Sequence, residues 1–143
     1  MDKIRGFEIA KGFGDGVINL PIRKTKYSAG YDLEASEDCT IPVFVPGLKP
    51  TLVKTGLKAY MGEGEYLMLC NRSSNPFKKG LVLANSVGII DADYYGNEDN
   101  DGHIMFAFYN FSDKAIEIKK GEAIRTSHFS KIFNSRYRQR QRR

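Results

Sequence analysis

The sequence predicts an all-β fold, a sandwich or barrel of short antiparallel strands. Roughly ten short runs either alternate between apolar and polar residues or are apolar throughout, and Gly, Pro and Asn turns separate them. No stretch keeps a helical apolar period for more than a turn or two. The 143 residues include 14 glycines and 8 tyrosines, a composition that leans towards strands and turns. A chain of this length buries enough surface for one core and needs no second globular domain.

Taken in order, the first twenty residues carry weak signals. Gly12, Gly14 and Gly16 break any helix, and Val17-Ile18-Asn19-Leu20 is the first plausible strand, closed by Pro21. In Tyr31-Asp32-Leu33-Glu34-Ala35 the alternation sends Tyr31, Leu33 and Ala35 to one face and Asp32 and Glu34 to the other. Residues 39–50 read as short strand and proline turn. Residues 51–60 alternate around Gly56, with Leu52, Thr55, Leu57 and Ala59 as inward positions, and Gly62-Glu63-Gly64 makes a turn. Residues 65–70 then form a buried strand that delivers Asn71-Arg72-Ser73-Ser74 to its end. A guanidinium fork beside two hydroxyls suits an oxyanion, although an isolated Arg-Ser-Ser is more often a serine turn.

Residues 80–96, Gly-Leu-Val-Leu-Ala-Asn-Ser-Val-Gly-Ile-Ile-Asp-Ala-Asp-Tyr-Tyr-Gly, hold the densest pattern. Apolar runs at 81–84 and 87–90 around Asn85 and Ser86 predict a β-hairpin of two buried strands. Asp91 and Asp93 stand two apart and share a face if the second strand continues. A carboxylate at a strand end usually caps turn amides, and for an arbitrary Asp-x-Asp that is the commoner role. Residues 97–102 read as a solvated acidic turn, because the spacing an EF-hand needs, with its distal Glu, is absent. Residues 103–110 alternate Ile104, Phe106 and Phe108 against His103, Met105, Ala107 and Tyr109, a strand apolar on both faces. Residues 115–118 and 121–124 complete the series.

Three of these stretches, in this order, resemble the signature motifs of the trimeric deoxyuridine triphosphate nucleotidohydrolases, the dUTPases. Ala29-Gly30-Tyr31-Asp32-Leu33-Glu34-Ala35 resembles the first, Asn71-Arg72-Ser73-Ser74 the second and residues 80–96 the third; Gly121-Glu122-Ala123-Ile124 matches the start of the fourth. The resemblance implies a distorted jelly roll (β-clip) that forms homotrimers, with each active site built where subunits meet. It also implies hydrolysis of dUTP to dUMP and pyrophosphate by attack of water on the α-phosphorus. Asp91 matches the carboxylate that activates that water and holds the 3′-hydroxyl. Arg72, Ser73 and Ser74 match the phosphate-binding set, and Asp32 matches the carboxylate that reaches, through water, a Mg2+ ion chelated by the triphosphate. Asn85, Gly88, Ile89 and Ile90 occupy the uracil-selecting positions. Tyr94 matches the aromatic beneath the deoxyribose, where a ring leaves no room for a 2′-hydroxyl. Two other readings compete: a catalytically inactive jelly-roll protein that binds nucleotide, nucleic acid or a partner protein, and the related dCTP deaminases. The intact Asp91-Ala92-Asp93-Tyr94 disfavours the deaminase.

The net charge of +5 is concentrated at one end. Residues 136–143 carry five arginines, and the rest of the chain is formally neutral, so nucleic-acid binding inferred from the pI near 9.2 rests on the tail and is expected to be incidental. After Ile124 the fourth motif's Ala-Gln pair is replaced by Arg125-Thr126, and no glycine-rich fifth motif follows. Residues 1–124 are therefore expected to be the β domain and 125–143 an atypical basic tail, with activity reduced. Codons for 125–143 can be chosen so that one skipped base reads Ala-Gln-Val-Ile-Phe, which assigns the tail to a shifted reading frame. No signal-peptide core and no run of ~20 apolar residues is present, so a cytoplasmic protein without membrane association is expected. Cys39 and Cys70 read as reduced thiols.

Overall fold

The computed structural model describes residues 4–14, 18–23, 25–28 and 30–131, which form eleven strands and two single helical turns. A four-stranded sheet has the order β2 (Tyr31–Glu34), β11 (Ala123–Lys131), β6 (Glu65–Asn71), β8 (Gly88–Asp91). A three-stranded sheet has the order β4 (Thr51–Lys54), β9 (Met105–Asn110), β7 (Leu81–Leu83). Two ribbons complete the fold, β1 (Gly6–Ile9) on β5 (Leu57–Tyr60) and β10 (Ile116–Ile118) on β3 (Cys39–Ile41). Every ladder is antiparallel. The all-β expectation holds.

The period-two alternation places the core. Leu67 and Leu69 of β6 and Leu33 of β2 meet Val53, Leu81, Phe106 and Phe108 of the three-stranded sheet, and all are buried. Asn110, at the end of β9, is fully buried yet satisfied: its amide nitrogen donates to the carbonyls of Ile41 (3.1 Å) and Lys114 (2.7 Å), and its oxygen accepts from Ser112 N (2.9 Å). Tyr31, Phe7 and Phe129 form an aromatic cluster over the four-stranded sheet, with Phe129 5.5 Å from Phe7 and 6.1 Å from Tyr31.

Several expectations are corrected. Among the described residues 18–20 no strand forms; the first strand is β1, whose inward Phe7 lies in a stretch with little alternation to reveal it. Within residues 51–60 the inward residues are Val53, Thr55, Leu57 and Ala59, whereas Leu52 is 53% exposed. Adjacent Leu52 and Val53 leave the phase open, and Leu52 pairs with Ala107 on the outer face of β9. The hairpin of residues 81–90 is not a ladder, for β7 pairs with β9 and β8 with β6. The Asn85-Ser86 turn, with Ser86 at φ 63°, passes the chain from one sheet to the other. β8 also stops at Asp91, and Ala92–Tyr94 forms a 3-10 turn, so Asp91 and Asp93 do not share a strand face.

Strand β11 crosses the boundary expected at residue 124 and continues through Lys131. Arg125 to Lys131 pair residue by residue with Asn71 to Glu65 of β6, and Ser127 is fully buried. The remaining tail residues, including the arginine-rich 136–143, lie outside the described residues, as does Ala29 of the first motif. No helix among the described residues is long and apolar enough to cross a membrane.

Candidate active site

Arg72 leaves the sheet at the end of β6 and leads into a single wide helical turn, Asn75–Lys79, which Gly80 closes in the left-handed region at φ 66°. Ser73 is exposed and Ser74 half-buried at the head of that turn. Two side-chain amides hold it in place. Asn75, 4% exposed, donates through Nδ2 to Asn71 Oδ1 (2.8 Å) and to the Ile124 carbonyl (3.0 Å), and Asn71 Nδ2 donates to the Leu81 carbonyl (2.9 Å). Arg72 Nη1 donates to the Ala123 carbonyl at 3.3 Å. The start of β11, the start of β7 and the end of β6 thus converge on the Arg72-Ser73-Ser74 segment. The sequence reading missed Asn75; the signal available was a second amide four residues after Asn71, flanking the Arg-Ser-Ser.

Asp32 projects from β2 opposite Thr126 of β11, which in turn lies opposite Cys70 of β6. It therefore stands two strands away from Cys70, about 10 Å across the sheet, at the end where Arg72 emerges. Asp32 and Glu34 line a groove of about 440 Å³ with Asn19, Leu20, Pro21 and Ile22, and Asn19 Nδ2 donates to Glu34 Oε2 at 3.3 Å. Among the described residues no group of three His, Cys, Asp or Glu side chains could hold a metal by itself. A single carboxylate still fits Mg2+, which keeps several waters and takes its remaining oxygens from a bound polyphosphate.

On the other side of β6, Gly88 lies opposite Leu69 and Asp91 opposite Tyr66. Gly88 is buried because β8 approaches closely: a Cβ there would sit 3.1 Å from Leu69 Cδ1. Asn85 is exposed, Ile89 is 50% exposed and Ile90 half-buried. Asp91 is exposed at the strand end, and the Tyr94 ring is half-buried in the turn that follows. Tyr94 Oη donates to the His103 carbonyl (2.7 Å) and accepts from Asn100 Nδ2 (2.7 Å).

The register separates these groups. From Tyr66, opposite Asp91, to Asn71 is five residues along β6, about 17 Å. One chain brings Asp32, Arg72-Ser73-Ser74 and the 85–86 turn to one end of the sheet and leaves Asp91 near the other. The surroundings of His103 are structural. Its Nε2 accepts from Gly56 N at 3.0 Å, the Phe13 ring lies 4.4 Å away, and burial, followed by the Lys54 charge, holds its pKa below the ordinary value. Both cysteines are free and half-buried, and burial raises the Cys39 thiol pKa.

Comparison with known proteins identifies the family and the fold. The dUTPase family model matches residues 17–126. The deoxyuridine 5′-triphosphate nucleotidohydrolase of Lactococcus lactis is 53% identical over 122 residues, covering 85% of this chain and 79% of that protein, and that of Neisseria meningitidis is 35% identical over 120 residues, covering 83% and 75%. Among solved structures, the dUTPase of Streptococcus mutans superposes with a TM-score of 0.82 at 43% identity, covering 91% of this chain and 98% of that one. The dUTPase of phage phi11 of S. aureus, in which coordination of a structural Mg(II) ion is described, shares the fold at a TM-score of 0.72 and 18% identity, covering 93% and 94%. A match over most of the chain, with a relative more than half identical, means that this chain belongs to the dUTPase family.

Proposed function

We propose that the chain hydrolyses dUTP to dUMP and pyrophosphate, as a Mg2+-dependent homotrimer whose active sites are shared between subunits. The observation that carries the reading is the position of β8 at the edge of its sheet: one side of its backbone pairs with β6, and no strand of the described chain takes the other. On an edge strand the amide and carbonyl of alternate residues face away from the ladder, and those that do so within Gly88, Ile89 and Ile90 can match the donor and acceptor pattern of uracil. The Asn85 side-chain amide distinguishes the 4-oxo group from the amino group of cytosine.

Asp91 follows that edge directly. Its carboxylate accepts a proton from the attacking water while aligning it on the α-phosphorus, and it holds the 3′-hydroxyl. Arg72 supplies a planar fork of donors to the departing pyrophosphate, and the Ser73 and Ser74 hydroxyls add adaptable ones. Mg2+, when bound, neutralises part of the triphosphate's charge, and Asp32 would hold it through water. Tyr94 packs beneath the deoxyribose.

The ~17 Å between Asp91 and the Arg72 end of β6 supports a site completed by a second copy, because one triphosphate must touch both groups. The outer face of the three-stranded sheet suits such a copy. Leu52, Val82, Met105, Ala107 and Tyr109 point away from the core, beside an aromatic cluster in which Phe44 lies 5.0 Å from Phe111 and 5.2 Å from Tyr109.

Pyrophosphate release with dUTP, dCTP, dTTP and UTP tests the reading. Turnover confined to dUTP is expected. Ammonia release from dCTP would establish a deaminase, and nucleotide binding without turnover would establish a binding protein.

A further inference from the structure

We propose that Asn100 is a positioning residue for the sugar gate: the loop of residues 97–102 holds the Tyr94 ring in the pose that rejects a 2′-hydroxyl. The proposal rests on the reading of Tyr94 as the aromatic beneath the deoxyribose. The loop was expected to be a solvated turn, and Glu98 and Asp99 are exposed, but Asn97 and Asn100 turn inward onto Tyr94. A phenol has a single proton, and that of Tyr94 goes to the His103 carbonyl at 2.7 Å. Its oxygen is then an acceptor, and Asn100 Nδ2 fills that role at 2.7 Å.

Asn100 is itself fixed. Its Oδ1 accepts from Gly102 N (3.1 Å) and from Asn97 Nδ2 (2.9 Å), and Asn97 Nδ2 also reaches the Tyr94 carbonyl at 2.8 Å. Loop and tyrosine are in backbone contact as well: at Gly102 (φ 87°) a Cβ would sit 2.8 Å from the Tyr94 carbonyl oxygen, so no larger residue fits without moving the turn. The loop is anchored to the body through Asp101, whose carboxylate accepts from Lys58 Nζ (2.8 Å) and from Lys11 N (2.9 Å). The Tyr94 ring is therefore held at its hydroxyl and at its backbone from one loop. A steric gate works only while the ring cannot retreat, because a hydroxyl needs little extra space.

The test compares kcat/KM for dUTP with that for UTP in Asn100→Ala, Asn100→Asp, Tyr94→Phe and Tyr94→Ala. Asn100→Asp keeps the acceptor for Gly102 and Asn97 and replaces the donor to Tyr94 with a charged acceptor. A general loss of stability scales both substrates alike, so the ratio reports the gate. Asn100→Ala, Asn100→Asp and Tyr94→Phe should each lower the dUTP-to-UTP ratio about fivefold, the effect of one lost neutral hydrogen bond. The double variant Tyr94→Phe with Asn100→Asp should have a ratio no lower than Tyr94→Phe alone, since the Asn100–Tyr94 contact is already lost in the single variant. If Tyr94→Ala collapses the ratio while the Asn100 variants leave it intact, Asn100 is loop packing only and the proposal is wrong. If Tyr94→Ala also leaves it intact, the reading of Tyr94 falls first and the proposal with it.

Discussion

An amide in place of the Asp91 carboxylate keeps its size and its contact with the 3′-hydroxyl but cannot take a proton. Asp91→Asn should therefore lower kcat by about a hundredfold or more while dUTP binding, measured by calorimetry, is retained. Parent-like turnover would reduce Asp91 to a strand-end cap. A second residue-scale prediction concerns His103, which folding holds neutral by burying it below its ordinary pKa of 6.5. Above that value neither state binds the proton. As the pH falls through it, the unfolded chain takes up a proton that the folded one refuses, so stability decreases towards acid. The urea midpoint of the parent should drop more between pH ~7.5 and ~5.5 than that of His103→Gln, whose oxygen can still accept from Gly56 N. Equal drops would assign the acid sensitivity to other groups. The strand-end positions of Arg72 and Asp91 were legible in the sequence pattern, whereas the roles proposed for them came from the resemblance to family motifs. Asn75 was not legible: its amide partners are the neighbouring Asn71 and a carbonyl 49 residues away, and nothing local announces the second.

At the scale of elements, the fold class and most strand positions could be read, while the pairing could not. Runs such as 81–84 and 87–90 are apolar throughout, so they look alike whether they pair with each other or with two different sheets, and only contacts remote in sequence decide. The same ambiguity produced the wrong phase at Leu52, whose outer face is also apolar. The place of β8 on β6 makes a prediction of its own. Gly88→Ala would put a methyl 3.1 to 3.4 Å from three atoms of Leu69, pushing the edge strand away. A loss of roughly 1–3 kcal/mol in urea unfolding is expected, with a raised KM for dUTP. Unchanged values would mean that Leu69 simply gives way.

For the whole molecule, a site divided between subunits can be reassembled from broken parts. Asp91→Asn and Arg72→Ala chains should each be inactive alone. Refolded together in equal amounts, about one quarter of sites would combine an intact Asp91 with an intact Arg72 from different chains, and pyrophosphate release should return in proportion. No recovery would place both residues in one subunit's site. The strand order carries another consequence. β11, the last of the described strands, lies between β2 and β6 near the middle of the four-stranded sheet. While a ribosome is still making the chain, β6 can pair with β8 but no strand bridges it to β2, and the facing edges of both wait for a strand not yet released. The sheet can close only after synthesis has passed residue 131, so until then the nascent protein is an open intermediate exposed to proteases and chaperones.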